Sequence, residues 1–408
     1  MTATLQDYEP IVGAARIGEL RTLGAYLRGI RLLNVNSTAV GGGVAEILGR
    51  MVPLLRDVGV DARWEILVGD EPFFRTTKAF HNGLQGQPAD VKPAELEHYL
   101  EINRRNAERL PLDADVVLVH DPQPAALLRA RPPGRNTWIW RCHIDMSSPA
   151  RKLWRFLAPE VARYDASIWS MPQFARPLPH PQLLVQPSID PLSDKNREME
   201  DEEASAILER LQVPRDLPIV LQVSRYDRFK DPVGVIQAFR LAADYVSFRL
   251  VLAGGSATDD PEGLAVLEEV KAAAGNDDRV HVLLLPPTAN LEINALQRAA
   301  AVVLQKSTRE GFGLTVSEAM WKGKPVIGGA TGGIVTQILD GVTGYLVHSV
   351  EGAAYRIRQL LAQPDRARKM GEQGRALVRE RFLLTRHVQD YLAAILCLRT
   401  GVRDVVTL

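Results

Sequence analysis

Cysteine is scarce in this chain of 408 residues, which has only Cys142 and Cys397. Two thiols can neither build a disulfide framework nor fill a Cys-rich zinc site, and a cytoplasmic setting is expected. Lysine is also short, 10 residues against 39 arginines, a skew that carries no functional weight. An excess of either charge is missing, because 49 Lys+Arg face 49 Asp+Glu. Without a clustered basic excess the chain is not a general polyanion binder, so no nucleic-acid partner is expected. No apolar stretch approaches the ~18–20 residues that cross a bilayer, so no membrane partner is expected either. Met1 to Pro10 carries Asp7 and Glu9 and lacks the basic and apolar regions of a secretory signal. Fixed-period repeats and low-complexity tracts are absent too.

What is present is globular. The chain is 46% hydrophobic and 24% charged, so it can bury sizeable cores, and its length suggests two domains or three. Short β-branched runs alternate with amphipathic stretches. Ten such runs read as strands: 30–36, 62–68, 116–119, 138–140 and 166–169, then 218–223, 248–253, 280–285, 301–304 and 325–327. Helical patterns such as 44–57, 232–243, 263–274 and 290–299 lie between them. This alternation predicts parallel sheets of βαβ units, an α/β fold. Ten strands divide into two sets of about five, hence two Rossmann-like domains. The boundary falls near Gln186-Pro-Ser-Ile-Asp-Pro191. The expected division is residues 1–187, 188–382, and a helix and tail at 383–408 free to pack back on the first domain. The charged run Asp194–Glu203 reads as a solvated helix start.

Three segments carry chemistry. Asn34-Val-Asn-Ser-Thr-Ala-Val-Gly-Gly-Gly43 follows the first strand and precedes a helix. Its glycines let backbone approach a ligand, and the helix N-terminus offers free amides to an anion. It is not GxGxxG, and no acidic residue completes a nicotinamide fingerprint. Val223-Ser-Arg-Tyr-Asp-Arg-Phe-Lys230 places Arg225 and Lys230 just beyond a strand, a fork and a point charge suited to a diphosphate. In Arg309-Glu-Gly-Phe-Gly-Leu-Thr-Val-Ser-Glu-Ala-Met320, Gly311 and Gly313 flank Phe312 in a loop. A helix starting around Leu314 or Thr315 would aim its amides at a phosphate. Glu310 and Glu318 suit vicinal hydroxyls, since a carboxylate accepts several hydrogen bonds.

Glu310, seven residues, then Glu318 within E-G-F-G-L-T-V-S-E-A-M resembles the signature of group-1 retaining glycosyltransferases, whose two Rossmann-like domains face across a cleft in the GT-B architecture. Within that group, G-G-G-V-A-E-I-L, K-A-F-H-N-G-L-Q-G, H-D-P-Q-P-A-A-L, W-R-C-H-I-D-M-S-S-P and M-W-K-G-K-P-V-I-G are similar to trehalose glycosyltransferring synthases, which join a nucleotide-activated glucose to glucose. The resemblance implies that Arg225 and Lys230 neutralise the donor diphosphate, Glu318 holds the ribose hydroxyls and Glu310 faces the donor sugar. It places Gly42 and Gly43 beside the diphosphate and acceptor, and Gly311, Phe312, Gly313, Leu314 and Thr315 in the donor loop. It also puts His143, in R-C-H-I-D, near the donor sugar and Asp121, in H-D-P-Q-P, near the reaction centre. His120 keeps the reading of a buried structural histidine.

The resemblance thus implies a nucleoside-diphosphate glucose donor with UDP, ADP or GDP as carrier, glucose as acceptor and trehalose as product. No cofactor is required. A divalent cation such as Mg is compatible with the diphosphate, but no Asp-x-Asp pair marks a metal site beside it, and no metal ligand is named. A homodimer is compatible with the sequence. A trehalose phosphorylase of the same fold shares nearly every motif, and another acceptor such as fructose 6-phosphate stays open. A non-catalytic sugar-binding protein is the alternative from a different class, although it would have no need of Arg225 and Lys230.

Overall fold

The computed structural model describes residues 3–39, 42–134, 136–255 and 261–401, without the side chains of Pro261 and Glu262. The chain divides into two compact units, Met1–Ser188 with Leu384–Leu408, and Ile189–Leu383.

The first unit holds β1 (Arg31–Asn36), β2 (Asp61–Ile66), β3 (Val116–His120), β4 (Thr137–Arg141), β5 (Ala166–Trp169) and β6 (Gln182–Leu184). They form one parallel sheet in the order β2-β1-β3-β4-β5-β6. β3 is buried at every residue, the mark of a parallel strand covered on both faces. Trp138, Trp140, Trp169, Phe73, Phe80 and Tyr99 fill the core. The helix Leu384–Thr400 returns to this unit, packing on the helices Ala14–Tyr26 and Gly43–Asp57.

The second unit holds β7 (Ile219–Val223), β8 (Arg249–Gly254), β9 (Val280–Leu284), β10 (Val302–Gln305), β11 (Val326–Gly329) and β12 (Gly344–Val347), again all parallel, in the order β12-β11-β10-β7-β8-β9. Its core gathers on Phe239, Phe248 and Tyr345.

Each sheet therefore has one strand more than the two sets of five expected. β6 spans three residues between proline-rich segments, and β12 opens on Gly344, so neither presents an apolar run long enough to stand out. The sheet orders have a functional consequence. In the first unit the chain reverses direction at the β1/β3 pair, and in the second at β7/β10. Ligands of open α/β sheets bind outside the carboxyl ends of strands at such switch points. Among the described residues no helix is long and apolar enough to cross a membrane.

Candidate active site

At the first unit's switch point, β3 ends on His120 and the chain turns at Asp121, whose φ of +66° lies in the left-handed region that aspartate tolerates better than most side chains. Three bonds hold the turn. Asp121 N–H donates to Arg141 O at 2.7 Å, Trp140 Nε1 donates to Asp121 O at 2.9 Å, and His143 N–H donates to Asp121 Oδ1 at 2.7 Å. The Asp121 carboxylate thus pins the backbone of His143. Burial pushes Asp121 up to about 7, against the opposing pull of the His143 amide and Arg141.

His143 is half-buried, with Nε2 3.0 Å from Nδ1 of His120. Burial, then the Arg141 charge, holds His143 well below the ordinary histidine value. His120 is buried as expected of a structural histidine, but its contact with His143 ties it to the site. Gly42 precedes the helix Gly43–Asp57 and, having no side chain, supplies no side-chain cap to that helix end. Val40 and Gly41 of the same glycine-rich stretch lie outside the described residues.

The second switch point gathers the loops after β7 and β10. Thr308 N–H donates to Phe229 O at 2.8 Å, joining the two loops. Lys230 Nζ lies 2.6 Å from Glu310 Oε2, which also accepts from Ser307 Oγ at 3.2 Å. The two site residues expected to meet different parts of a ligand are therefore bonded to each other. Arg225 is more than half exposed and pairs with Asp227 at 3.5 Å. Gly313, at φ +85°, is the uncapped start of the helix Leu314–Trp321. Gln337 Nε2 fixes the loop by donating to Phe312 O at 2.6 Å, and Thr315 Oγ1 donates to Gln305 Oε1 at 3.1 Å. Gly311 sits between Glu310 and Phe312 in this loop.

Gly332 explains how closely the loop is backed. Its φ is +48°, and a Cβ there would stand 1.7 Å from Glu310 O. Gly332→Ala should displace the Glu310 loop and destabilise the protein by about 2–4 kcal/mol, combining left-handed strain with overpacking. Denaturant unfolding checks this, and a loss below 1 kcal/mol would show that the loop yields freely.

Glu318 is buried on the same helix, with Oε1 3.7 Å from Lys195 Nζ. Lys322 Nζ donates to Asn196 Oδ1 at 2.9 Å and to Glu318 O at 3.2 Å, and burial pushes it down to about 7. Sequence reasoning missed these partners. The run Asp194–Glu203 becomes helical only at Asp201; before that it places Lys195 beside Glu318 and buries Asn196 against Lys322. Arg141 was missed as well. Fully buried at the end of β4, it donates to Val185 O at 2.7 Å, while its Nε and Nη1 have no partner among the described residues. The motif W-R-C-H-I-D that contains it was the available signal. An Asp-x-Asp pair does occur, Asp113 and Asp115. It lies at the amino ends of β1 and β3, away from the switch point at their carboxyl ends, and Arg31 engages both carboxylates there.

Comparison with known proteins adds to this geometry. A family model described as trehalose synthase, N-terminal domain, matches residues 34–176, and one described as glycosyl transferases group 1 matches residues 204–377. A trehalose synthase of Pyrococcus horikoshii is 45% identical over 394 residues, covering 95% of each chain. A trehalose phosphorylase of Pleurotus pulmonarius is 28% identical over 400 residues, covering 84% of this chain and 54% of that protein. The solved structure of an α,α-trehalose-phosphate synthase (UDP-forming) from Burkholderia xenovorans, in complex with glucose-6-phosphate, matches with a TM-score of 0.72 at 14% identity, covering 90% of this chain and 100% of that one.

The two parallel α/β units and the group 1 match define a glycosyltransferase of GT-B fold, an enzyme that transfers a glycosyl group. Within that class the chain belongs to the trehalose synthase family, and its chemistry is trehalose-related glycosyl transfer.

Proposed function

We propose that the protein is a retaining glucosyltransferase that joins a nucleoside-diphosphate glucose to free glucose, giving trehalose, and that it also runs in reverse. The observation that carries this reading is the second switch point. There Arg225, the Lys230–Glu310 pair and the uncapped helix Leu314–Trp321 gather around one strand pair. A fork, a point charge and a positive helix end suit a diphosphate. Lys230 and Ser307 both bond Oε2 of Glu310, so Oε1 is left for a sugar hydroxyl.

In the proposed reaction the bond from the anomeric carbon to the diphosphate oxygen breaks, and the carbon bonds to the acceptor hydroxyl oxygen on the same face. The departing phosphate oxygen takes the hydroxyl proton. Charge growing on the diphosphate is met by Arg225, Lys230 and the amides of Leu314 and Thr315. These groups are oriented before substrate arrives, the condition under which electrostatic stabilisation is largest. The reading requires no resident cofactor. Gly42 and Gly43 contribute backbone, and Asp121 holds His143 beside the donor sugar.

The 45% identity to a trehalose synthase, against 28% to a trehalose phosphorylase, favours the nucleotide-sugar reaction. Mass spectrometry of products from UDP-, ADP- and GDP-glucose, and separately from glucose 1-phosphate, each with glucose, tests the proposal. A disaccharide from at least one nucleotide donor is expected. Product from glucose 1-phosphate alone would make the enzyme a phosphorylase.

Glu318 is assigned to the ribose hydroxyls, with Lys195 beside it. A ribose contact is similar in ground and transition states, so Glu318→Ala should raise the donor KM about tenfold and leave kcat within about threefold. Steady-state kinetics over donor concentration checks this, and an unchanged KM removes Glu318 from the donor site.

A further inference from the structure

Arg63, Asn34, His120 and His143 form a hydrogen-bonded row running from β2 to the end of the first sheet. Asn34 Nδ2 donates to the Arg63 carbonyl at 3.3 Å. Asn34 Oδ1 lies 3.2 Å from His120 Nε2, and His120 Nδ1 lies 3.0 Å from His143 Nε2. Asn34 and His120 are both buried, so solvent does not substitute for any link.

The direction of every bond follows from the first. A carbonyl oxygen only accepts, so Asn34 must turn its amide nitrogen toward Arg63 and its oxygen toward His120. The reverse orientation sets the Asn34 side-chain oxygen against the Arg63 carbonyl oxygen and leaves that buried side-chain oxygen without a donor. Asn34 Oδ1 only accepts, so His120 Nε2 carries a proton. Burial pushes His120 down to about 3, so the ring is neutral and its Nδ1 is a lone pair. His143 Nε2 must then donate to it. Among the described residues no group other than His120 is hydrogen-bonded to the His143 ring. The Asp121 carboxylate takes the His143 backbone amide, Arg141 bonds Val185 O and Ser170 Oγ, and His387 Nδ1 faces Gln186 O.

We infer that Asn34 and His120 lock His143 as its neutral Nε2–H tautomer, so that Nδ1 meets the substrate as an acceptor for a sugar hydroxyl. Asn34 and His120 are positioning residues, acting only through His143. The identity of the hydroxyl's owner rests on the proposal that His143 borders the donor sugar; the tautomer does not.

The test is a two-bond proton–nitrogen correlation spectrum of the full chain, carrying ¹⁵N in the histidine rings, near neutral pH. The His143 signals are those lost in His143→Asn. A protonated Nε2 with an unprotonated Nδ1 is expected, and a His143 that is Nδ1–H or cationic overturns the inference. Kinetics supply the second arm. His120→Leu should lower turnover about tenfold, the worth of one buried hydrogen bond, with nucleoside-diphosphate affinity unchanged. His120→Gln, whose amide can donate to Asn34 and accept from His143, should recover most of that loss. Parental turnover in His120→Leu overturns the inference. If His120→Leu does not fold, the spectrum of the parent protein decides. That spectrum reads no product, so it decides equally if the proposed glucosyl transfer fails.

Discussion

Lys230→Ala is expected to lower turnover about 100-fold, the upper end of what one charge-assisted bond contributes. Lys230 has two tasks in this account. Free of substrate it neutralises Glu310 at 2.6 Å in a pair whose side chains are only 16% and 10% exposed. In the reaction it meets the charge growing on the diphosphate. Its removal leaves the Glu310 carboxylate unpaired and nearly buried, so the variant should also lose stability. Arg225→Ala separates the two effects. Arg225 is more than half exposed and makes a long 3.5 Å contact with Asp227, so its loss should leave the melting temperature unchanged. Its turnover should still fall about tenfold or more. Turnover within twofold of the parent in both variants would remove the diphosphate from this switch point.

His143→Ala is expected to lower turnover about 100-fold as well, the scale of one pre-organised polar group at a reacting centre. Nucleoside-diphosphate binding should stay nearly intact, because every group assigned to the diphosphate in the second switch point belongs to the other unit. A histidine that merely filled the core would behave differently, with stability, binding and turnover falling together. Titration calorimetry with the nucleoside diphosphate, a melting curve and turnover on one preparation distinguish the two. Near-parental turnover contradicts the assignment.

Apart from β6 and β12, the strands and the glycine-bearing loops were legible in the sequence because each is local. β7 and β10 are fully buried short runs, apolar but for Gln222 and Gln305, and the loops after them carry their own charges and glycines. The helix Leu314–Trp321 starts where its flanking glycine predicts. The partners of the site were not legible. His120 meets Asn34 across 86 residues of chain, and Lys322 meets Asn196 across 126. No spacing rule links such pairs; sheet order brings Asn34 to His120, and the packing of a turn on a helix end brings Asn196 to Lys322. Asn196 and Lys195 were hidden for a second reason. They sit in a charged run, and charge in a run ordinarily signals solvent, whereas here Lys195 lies against the buried Glu318 carboxylate and Asn196 is buried against Lys322. The Lys230–Glu310 bond was equally hidden, since both residues were legible as ligand groups but not as partners.

The most direct test of the central claim is proton NMR of the reaction as it runs, with the nucleotide-glucose donor that the product panel selects and free glucose. The account predicts that the first product formed is the α,α-1,1-linked disaccharide. It should appear mole for mole with released nucleoside diphosphate and keep the α configuration of the donor. A β-linked first product, or release of nucleoside diphosphate without disaccharide, would contradict it.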